Sequence, residues 1–276
     1  MRVHTDTGIR SATYHPAMEI RDSVIVVTGA ANGIGAAMAR RFAQEGARAL
    51  VLGDLDDAGL ATVADSIEGC EVVTRRCDVA SEADVVALVD AAAAHGPVDL
   101  VCSNAGIGIA GGPEVTDDEW RRIFDINVMA HIYASRAALP AMLDRGRGYF
   151  LNTASAAGLL SQIGSAPYAV TKHAAVAYAE WLAITYGDRG IGVSVLCPQA
   201  VRTAMTAGTP GGGVAGVDGM IEPEEVADTV VEGLADEHFL ILPHPQVLDY
   251  LRRKTDDYDR WLAGMRRLQA RYERPV

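Results

Sequence analysis

The chain has 276 residues, of which 49% are hydrophobic and 22% are charged, so its composition is that of a globular protein and excludes a disordered one. Its net charge of −12 argues against nucleic acid and anionic membrane surfaces as partners. No apolar run reaches the roughly 18 residues of a membrane-spanning helix, and the N-terminus lacks the apolar segment of a secretory signal. This length suits one large α/β domain or two small ones.

Short apolar runs alternate with helical segments along most of the chain. Strands are predicted at residues 23–28, 47–54, 71–74, 98–103, 148–153, 191–197 and 239–242. Helices are predicted at residues 33–45, from Ser81, from Thr116 toward Leu143, around Tyr168 and from Pro223. Ser81 and Thr116 are each followed three residues later by an acidic residue, which is typical of a helix N-terminus. The alternation predicts the α/β class, with one doubly wound parallel sheet of about seven strands and helices on both faces in a single domain.

The chain divides into three segments by pattern. Residues 1–20 lack periodicity and are expected to be a flexible lead-in, with Met18 as a candidate natural start. Residues 21–244 form the predicted domain, and its glycine-rich stretch at about 203–222 is expected to be a substrate loop. In residues 245–276 apolar residues recur at helical spacing among many charges. This C-terminal extension is predicted to pack on the domain or on a neighbouring subunit, and lining the mouth of a substrate site is the alternative.

The cysteines give no sign of a disulfide framework or a metal site. Cys70, Cys77, Cys102 and Cys197 lie far apart, without Cys-x-x-Cys spacing. They are predicted to be small buried residues of a protein in the reducing cytoplasm. Because no paired Cys or His spacing of the kind that zinc uses is present, no metal is expected.

Three glycines, Gly29, Gly33 and Gly35, lie between the first predicted strand and the first predicted helix. Glycines at this place allow a tight turn and let the backbone approach a pyrophosphate, which then lies on the N–H groups of the helix N-terminus. The turn is therefore predicted to bind a dinucleotide. The other residues predicted to contact it there are Ala31, Asn32 and Ile34.

Asp54 ends the second predicted strand, 25 residues beyond Gly29. A carboxylate at this place accepts hydrogen bonds from an adenosine ribose and repels a 2′-phosphate, which favours NAD over NADP as the cofactor. Neither Asn32 nor Leu55 supplies a basic side chain for such a phosphate. NADP remains the alternative cofactor, and a surface aspartate in a turn is the alternative interpretation of Asp54.

Tyr168 lies four residues before Lys172 and thirteen after Ser155. On a helix the phenol and the ammonium share one face. Tyrosine has a pKa of about 10 in water, and a neighbouring ammonium lowers it, so the pair is suited to proton transfer. Ser155 is then placed to hold the oxygen of an alcohol or carbonyl substrate. A second pair, Tyr250 and Lys254, has the same spacing without such a serine and is interpreted as a solvated helix face.

Over about residues 20–242 the chain resembles the short-chain dehydrogenase/reductase family in its common single-domain form. The motifs that carry the resemblance are the glycine turn at 28–35, Cys77-Asp-Val79, Asn104-Ala-Gly106, Asn127, the trio Ser155, Tyr168 and Lys172, and the segment 198–203. Two positions depart from the family's usual pattern. Ser103 stands where an asparagine is common, and Gln199 stands where a glycine is common.

The resemblance implies a Rossmann fold and hydride transfer between a secondary alcohol or ketone and NAD. It assigns Ser155 to holding the substrate and Tyr168 to moving its proton. It assigns Lys172 to lowering the tyrosine pKa and binding the ribose, and Asn127 to holding a water in a proton relay. A homotetramer or homodimer is also implied. Besides Tyr168 and Lys172, the further predicted cofactor-binding residues are Leu55, Asp78, Val79, Asn104, Ala105, Gly106, Pro198, Val201 and Thr203.

The substrate is predicted from the residues expected to surround the catalytic ones, which are Ile107, Gly158, Leu159, Gln199 and Met205. This set is mostly small or apolar, and no arginine except Arg202 is expected to point inward. A hydrophobic secondary alcohol or ketone is therefore favoured over a carboxylated or phosphorylated one. Two rival functions are a methyltransferase, which also uses a glycine turn, and a non-catalytic NAD-binding redox sensor. Neither accounts for the catalytic trio.

Overall fold

The computed structural model describes residues 18–272, within which seven strands form one parallel sheet. The strands are β1 (Val24–Thr28), β2 (Ala49–Asp54), β3 (Glu71–Arg76), β4 (Val98–Ser103), β5 (Gly148–Thr153), β6 (Ile191–Leu196) and β7 (Leu240–Ile241). Their order is β3-β2-β1-β4-β5-β6-β7, and all neighbouring pairs are parallel. The predicted fold class is confirmed.

Helices connect the strands and continue beyond the last one. They are α1 (Gly33–Gln44), α2 (Asp57–Asp65), α3 (Glu82–Ala93), α4 (Asp117–Phe124), α5 (Ala130–Asp144), α6 (Ala166–Tyr186), α7 (Pro223–Ala235), α8 (Gln246–Asp256) and α9 (Tyr258–Tyr272). Ser81 caps α3, and Thr116 with Glu119 forms a capping box at the start of α4, both as predicted. Among residues 18–272 no helix combines the length and apolarity needed to cross a bilayer.

Apart from the edge strand β3, the sheet is buried on both faces, because helices cover each side of it. Along β2, Leu50 and Leu52 belong to the core beside α1 and α7, whereas Ala49 and Val51 belong to the core beside α3, α5 and α6. This accounts for the continuous apolar runs that the sequence shows at the strands, since parallel strands covered on both faces do not alternate. Each fully buried leucine stabilises the fold by about 1.5–3 kcal/mol.

The strand order reverses at β1, which pairs with β2 on one side and with β4 on the other. In open parallel sheets such a reversal leaves a crevice at the carboxyl ends of the strands, where ligands bind. Thr28 ends β1 at this crevice, and Asn104 directly follows β4. The predicted site residues thus meet at one edge of the sheet because the topology brings their strand ends together.

The N-terminal boundary of the ordered core lies earlier than predicted. Met18 and Ile20 are buried in the core, and Ser23 Oγ donates a hydrogen bond to the Ile20 carbonyl oxygen at 2.5 Å. The expectation of a flexible segment up to residue 20 is therefore wrong for residues 18–20, because their apolar side chains complete the packing around α1. Residues 1–17 and 273–276 lie outside the described part of the chain.

Two helical features differ from the sequence prediction. The helix predicted from Thr116 toward Leu143 contains a wider π turn at Asp125–Met129, which separates α4 from α5. Helix α2 was not predicted, although Asp56 marks its start: the Asp56 carboxylate accepts the Gly59 N–H at 3.0 Å. Of the aspartates after β2, Asp56 is thus the N-cap of α2.

Candidate active site

The glycine turn has the backbone geometry that its residue types predict. Gly29 and Gly33 have φ values of +65° and +54°, a region that side chains disfavour. A Cβ at Gly35 would overlap the Gly29 carbonyl oxygen. Asn32 precedes α1 in an extended conformation and makes no side-chain cap. The first N–H groups of α1 therefore have no side-chain cap, as a phosphate-binding helix N-terminus requires.

Asp54 holds the glycine turn from the end of β2. Its carboxylate accepts the Ala31 N–H at 3.0 Å and the Asp56 N–H at 3.2 Å. A carboxylate accepts up to about four hydrogen bonds, so Asp54 keeps capacity for a ribose hydroxyl. Leu55, the next predicted contact, is half exposed at the rim. Neither Asp54 nor Leu55 offers a positive charge to a 2′-phosphate.

Asn104 joins three strand ends at the crevice. Its Nδ2 donates to the Thr28 carbonyl oxygen at 3.1 Å, and its Oδ1 accepts from Thr153 Oγ1 at 3.1 Å. Thr28 Oγ1 in turn accepts the N–H groups of Asn104 and Ala105 at 2.9 and 3.2 Å. These bonds hold the turn after β4 against the glycine turn, so the predicted motif Asn104 to Gly106 has a structural part in shaping the crevice.

The remaining predicted cofactor residues lie around the same crevice. Thr203 packs against Gly33, where an added Cβ would lie 3.1 Å from the threonine methyl group. Pro198 and Val201 follow β6 and are buried, and Val201 pairs with Ile221 in an isolated bridge. Asp78 follows β3, where its side chain caps the turn by accepting the Ala80 N–H at 3.0 Å. Val79 is buried beside it.

Ser155 and Tyr168 are brought together by the loop after β5 and the first turn of α6. Ser155 Oγ accepts the Ala157 N–H at 3.1 Å and lies 3.4 Å from the Pro198 carbonyl oxygen. Ser165 caps α6 by accepting the Tyr168 N–H at 3.4 Å. Burial raises the pKa of Tyr168, and a hydrogen bond with the Ser155 side chain acts in the opposite direction. The serine and the phenol therefore share one polar site.

Lys172 is 3% exposed, and its side chain is bonded to the last residue of β5. Its Nζ donates to the carbonyl oxygen of Thr153 at 3.0 Å and lies 5.6 Å from the centre of the Tyr168 ring. Burial lowers the pKa of Lys172 to about 8. Thr153, the last residue of β5, was not predicted to take part; its place at a strand end beside the serine was the available signal.

The predicted lowering of the Tyr168 pKa by Lys172 is wrong for this structure. The ammonium lies over the ring and gives a hydrogen bond to Thr153 instead of to the phenol oxygen. Burial disfavours the phenolate and determines the net direction, which is upward. Spacing places the two groups on one face but does not determine which acceptor the ammonium selects.

Asn127 lies in the π turn and is fully buried. Its Oδ1 accepts the Ile107 N–H and its Nδ2 donates to the Ile107 carbonyl oxygen, both at 2.9 Å. A Cβ at Gly106 would lie 3.3 Å from both Asn127 Oδ1 and Lys172 Nζ. Asn127 thus clamps the segment after β4 next to the lysine. A π turn at such a position is common at functional sites.

A cavity of about 640 Å³ opens beside Ser155. Its wall near the serine includes Ala156, Leu160 and Gln199. The glycine-rich stretch contributes Val214, Ala215 and Val217. The opposite wall is formed by α8 and α9, whose lining residues are Tyr250, Arg253, Asp256, Asp257, Arg260, Trp261, Gly264, Met265, Arg267, Leu268 and Arg271. The C-terminal extension therefore lines the mouth of the cavity.

Of the predicted substrate residues, Gln199 lines the cavity directly. Its Oε1 is buried without a hydrogen-bond partner among the described residues, so it is available to a ligand. Gly158 serves packing instead, since a Cβ there would overlap the Lys172 carbonyl. Leu159 and Ile107 act through their backbone, and Met205 is half exposed outside the lining of this cavity.

The interpretation of Tyr250 and Lys254 as a solvated helix face is wrong. Lys254 is 8% exposed, and its Nζ donates to the Leu159 carbonyl oxygen at 2.6 Å. It also lies 3.5 Å from His173 Nε2, next to Lys172 in α6. Tyr250 donates to Asp218 at 2.9 Å. The pair fastens α8 onto the domain, which the sequence spacing alone does not show.

The expectation that no arginine except Arg202 points into the site is also wrong. Arg253, Arg260, Arg267 and Arg271 all line the cavity. Arg202 instead forms an ion pair with Glu222 at 2.6 Å outside it. The sequence interpretation missed these arginines because α8 packs against residues that lie far from it in the chain, such as Ala156 and Leu160.

Comparisons with known proteins agree with the fold. The family described as short chain dehydrogenase matches residues 23–210. A 1-deoxy-11-beta-hydroxypentalenate dehydrogenase from Streptomyces exfoliatus is 37% identical over 247 residues, covering 87% of this chain and 90% of its own. A meso-2,3-butanediol dehydrogenase from Serratia marcescens is 35% identical over 195 residues, covering 70% and 77%.

A solved structure gives the same result in three dimensions. A short chain dehydrogenase/reductase from Burkholderia phymatum, crystallised in complex with NAD, superposes with a TM-score of 0.80 at 32% identity. The match covers 94% of this chain and 99% of that one. The chain belongs to the short-chain dehydrogenase/reductase family and is an oxidoreductase.

Proposed function

We propose that this chain is an NAD-dependent dehydrogenase that interconverts a hydrophobic secondary alcohol and its ketone. The observation that carries the proposal is the convergence of the Ser155, Tyr168 and Lys172 side chains, with Ser155 itself in the wall of the cavity. A binding module or sensor needs no such constellation at a cavity. The relatives named as dehydrogenases of hydroxylated substrates support the same reaction class.

The crevice fits a dinucleotide, and its charges favour NAD. Gly35 leaves room for close backbone approach, and α1 presents N–H groups without a side-chain cap. The Asp54 carboxylate at the end of β2 favours a ribose hydroxyl over a 2′-phosphate. The Burkholderia phymatum relative is described in complex with NAD, which supports this choice. Gly29 to Gly35, Asp54, Asn104 to Gly106 and Thr203 would hold the cofactor.

The residues of the chain divide the proton chemistry among them. The bound cofactor would supply the hydride acceptor, NAD, for alcohol oxidation and the hydride donor, NADH, for ketone reduction. Ser155 Oγ donates a hydrogen bond to the substrate oxygen and fixes the carbinol carbon in place. In alcohol oxidation Tyr168, as phenolate, removes the hydroxyl proton; in ketone reduction the neutral phenol returns it. Lys172 holds its amine over the Tyr168 ring, and Asn127 keeps the adjoining backbone in register.

The pKa directions determine which form is present at a given pH. Burial raises the pKa of Tyr168, so the phenol predominates at neutral pH and suits ketone reduction. Alcohol oxidation needs the phenolate and is therefore expected to be faster at alkaline pH. The pH therefore determines how much of Tyr168 is in the form that each direction of the reaction needs.

A homo-oligomer built on α6 belongs to the same proposal. Val170, Trp181 and Ile184 are 46%, 52% and 84% exposed, and their spacing puts them on one face of α6. An exposed apolar face of this kind is typical of a subunit interface. Trp181 stacks on Tyr178 at 6.3 Å between ring centres, which extends the surface.

One experiment tests the enzymatic proposal. Purified protein is titrated with NAD, with NADP and with S-adenosylmethionine while its melting temperature is followed, and NADH formation is then measured with a panel of alicyclic alcohols at alkaline pH. Stabilisation by NAD together with turnover of a secondary alcohol supports the proposal. Stabilisation by S-adenosylmethionine alone would favour the methyltransferase, and NAD binding without any turnover would favour the sensor.

A further inference from the structure

The outer wall of the cavity carries an excess of positive charge. Six charged side chains line it, namely Arg253, Arg260, Arg267, Arg271, Asp256 and Asp257. Four cations and two anions leave a local excess of +2, whereas the whole chain carries −12. An excess of one sign at the mouth of a cavity attracts ligands of the other sign.

The four arginines are free to take a ligand. Within residues 18–272 none of them forms an ion pair, whereas Arg252 on the other face of α8 is paired with Asp249 at 3.3 Å. Of the two aspartates, Asp257 is already engaged, since its carboxylate accepts the Arg260 N–H at 2.9 Å at the start of α9. Arg253 lies over the Tyr250 ring at 5.6 Å, a contact that leaves its N–H donors available.

The arginines on α9 lie beside an apolar stripe. Arg260, Gly264, Arg267 and Arg271 are spaced by four, three and four residues, so they share one helix face. Trp261, Met265 and Leu268 form the neighbouring stripe and also line the cavity. Gly264 lies between Arg260 and Arg267, and a Cβ there would lie 3.7 Å from an Arg267 guanidinium nitrogen. Such a face matches a ligand with a hydrocarbon body and one anionic group.

We propose that this arginine face binds a carboxylate on the substrate, so that the physiological substrate is a hydroxy acid with a hydrocarbon body, or its keto acid. Guanidinium groups bind carboxylates through paired N–H donors, which fixes direction as well as position. The carboxylate would then lie at the solvent-exposed side, and the carbinol would reach Ser155 at the buried side. The inference rests on the proposed dehydrogenase function and names its substrate class.

The test uses matched substrates and matched variants. The kcat/KM with NAD is measured for 4-hydroxycyclohexanecarboxylate and for its methyl ester, which differ only in charge at the far end. Arg260→Gln and Arg267→Gln remove one lining cation each. Arg266→Gln removes the same charge from the next residue of α9, which does not line the cavity, and so controls for helix stability and net charge.

The expected result is a preference for the acid that Arg267→Gln reduces by about three- to tenfold, as for a charge-assisted hydrogen bond at an exposed site, with Arg266→Gln unchanged. The preference should also fall with added salt. Equal turnover of acid and ester in all four proteins would overturn the carboxylate assignment while leaving the dehydrogenase function in place.

If the protein oxidises no alcohol, a binding measurement still tests whether the arginine face binds a carboxylate. The keto acid 4-oxocyclohexanecarboxylate and its methyl ester are titrated into the protein with NAD present, and the melting temperature is followed. Stabilisation by the acid that Arg267→Gln weakens and Arg266→Gln does not would support the arginine site even if the dehydrogenase function failed. No difference between the acid and the ester would overturn it.

Discussion

The Nζ of Lys172 lies 5.6 Å from the centre of the Tyr168 ring and donates its hydrogen bond to the Thr153 carbonyl oxygen at 3.0 Å. The ammonium is thus anchored to the end of β5 and faces the π-system of the tyrosine. At neutral pH, below the Lys172 pKa of about 8, this arrangement keeps a cation beside the neutral phenol. It also makes β5, which carries Ser155 just beyond its end, the common support of the whole proton-transfer site.

Replacing Tyr168 by phenylalanine tests its assignment as general acid and base. The variant should fold and bind NAD as the original does, because the ring still packs against the loop after β5. Its turnover should fall by about 10²–10⁴, the usual contribution of a positioned proton-transfer group. Steady-state NADH formation and NAD-induced thermal stabilisation measure the two properties. Retention of most of the turnover would remove Tyr168 from the mechanism.

Lys172 should make stability depend on pH in a defined window. Its pKa is about 8 in the folded protein and higher when unfolded, so between these values the unfolded state binds more protons and stability rises with pH. From pH 7.5 to 9.5 the protein should gain on the order of 1–2 kcal/mol relative to Lys172→Met. Urea unfolding of both proteins at the two pH values measures it. A parallel response of the two proteins would contradict the buried-ammonium interpretation.

Asp54 should determine the choice between NAD and NADP. Asp54→Ala removes the carboxylate that we propose to hold the ribose and should lower the ratio of NAD to NADP affinity by about ten- to a hundredfold, as for a hydrogen bond to a charged group. Dissociation constants from fluorescence titration give the ratio. Asp57→Ala, an exposed residue in the first turn of α2, removes the same charge nearby and should leave it unchanged.

Lys254 should hold the cavity wall in place. Lys254→Met leaves the Leu159 carbonyl oxygen without its donor and should destabilise the protein by about 1–3 kcal/mol, because a buried acceptor is left unpaired. Since α8 then docks less firmly, KM for the substrate should rise more than kcat falls. Thermal unfolding and steady-state kinetics measure both effects. Arg252→Met is the control on the exposed face of the same helix, and an equal effect there would argue against a specific role of Lys254.

Ile184 should contribute to a subunit interface. It is 84% exposed on α6, and Ile184→Glu would bury a charge if this face were covered by a second copy. The variant should shift the molar mass measured by light scattering toward the monomer. Asp188→Asn, an exposed polar change just after the end of the same helix, should not. A monomeric mass for the original protein would reject the interface.

The sequence alone predicts a parallel sheet of about seven strands, the alternation of strands and helices along the chain, and the family. Strands such as Val98–Ser103 and Gly148–Thr153 match the predicted bounds because their apolar runs are local and uninterrupted. The glycine turn is also predicted from the sequence. Positive φ at Gly29 and Gly33 favours glycine at each position, so the residue type alone indicates it. Helix α2 was missed because its start is marked only by Asp56, in a run of aspartates that also fits a loop.

Only the tertiary structure decided what the C-terminal helices do. Lys254 donates to Leu159, a residue 95 positions away in sequence, and no local pattern shows which carbonyl a lysine will meet. The same holds for the arginines on α9: helical spacing shows that they share a face, but the packing of Val247 against Ala156 and Leu160 determines that α8 leads into the wall of the Ser155 cavity. Periodicity is a property of neighbouring residues, whereas the environment of a side chain depends on what distant segments bring to it.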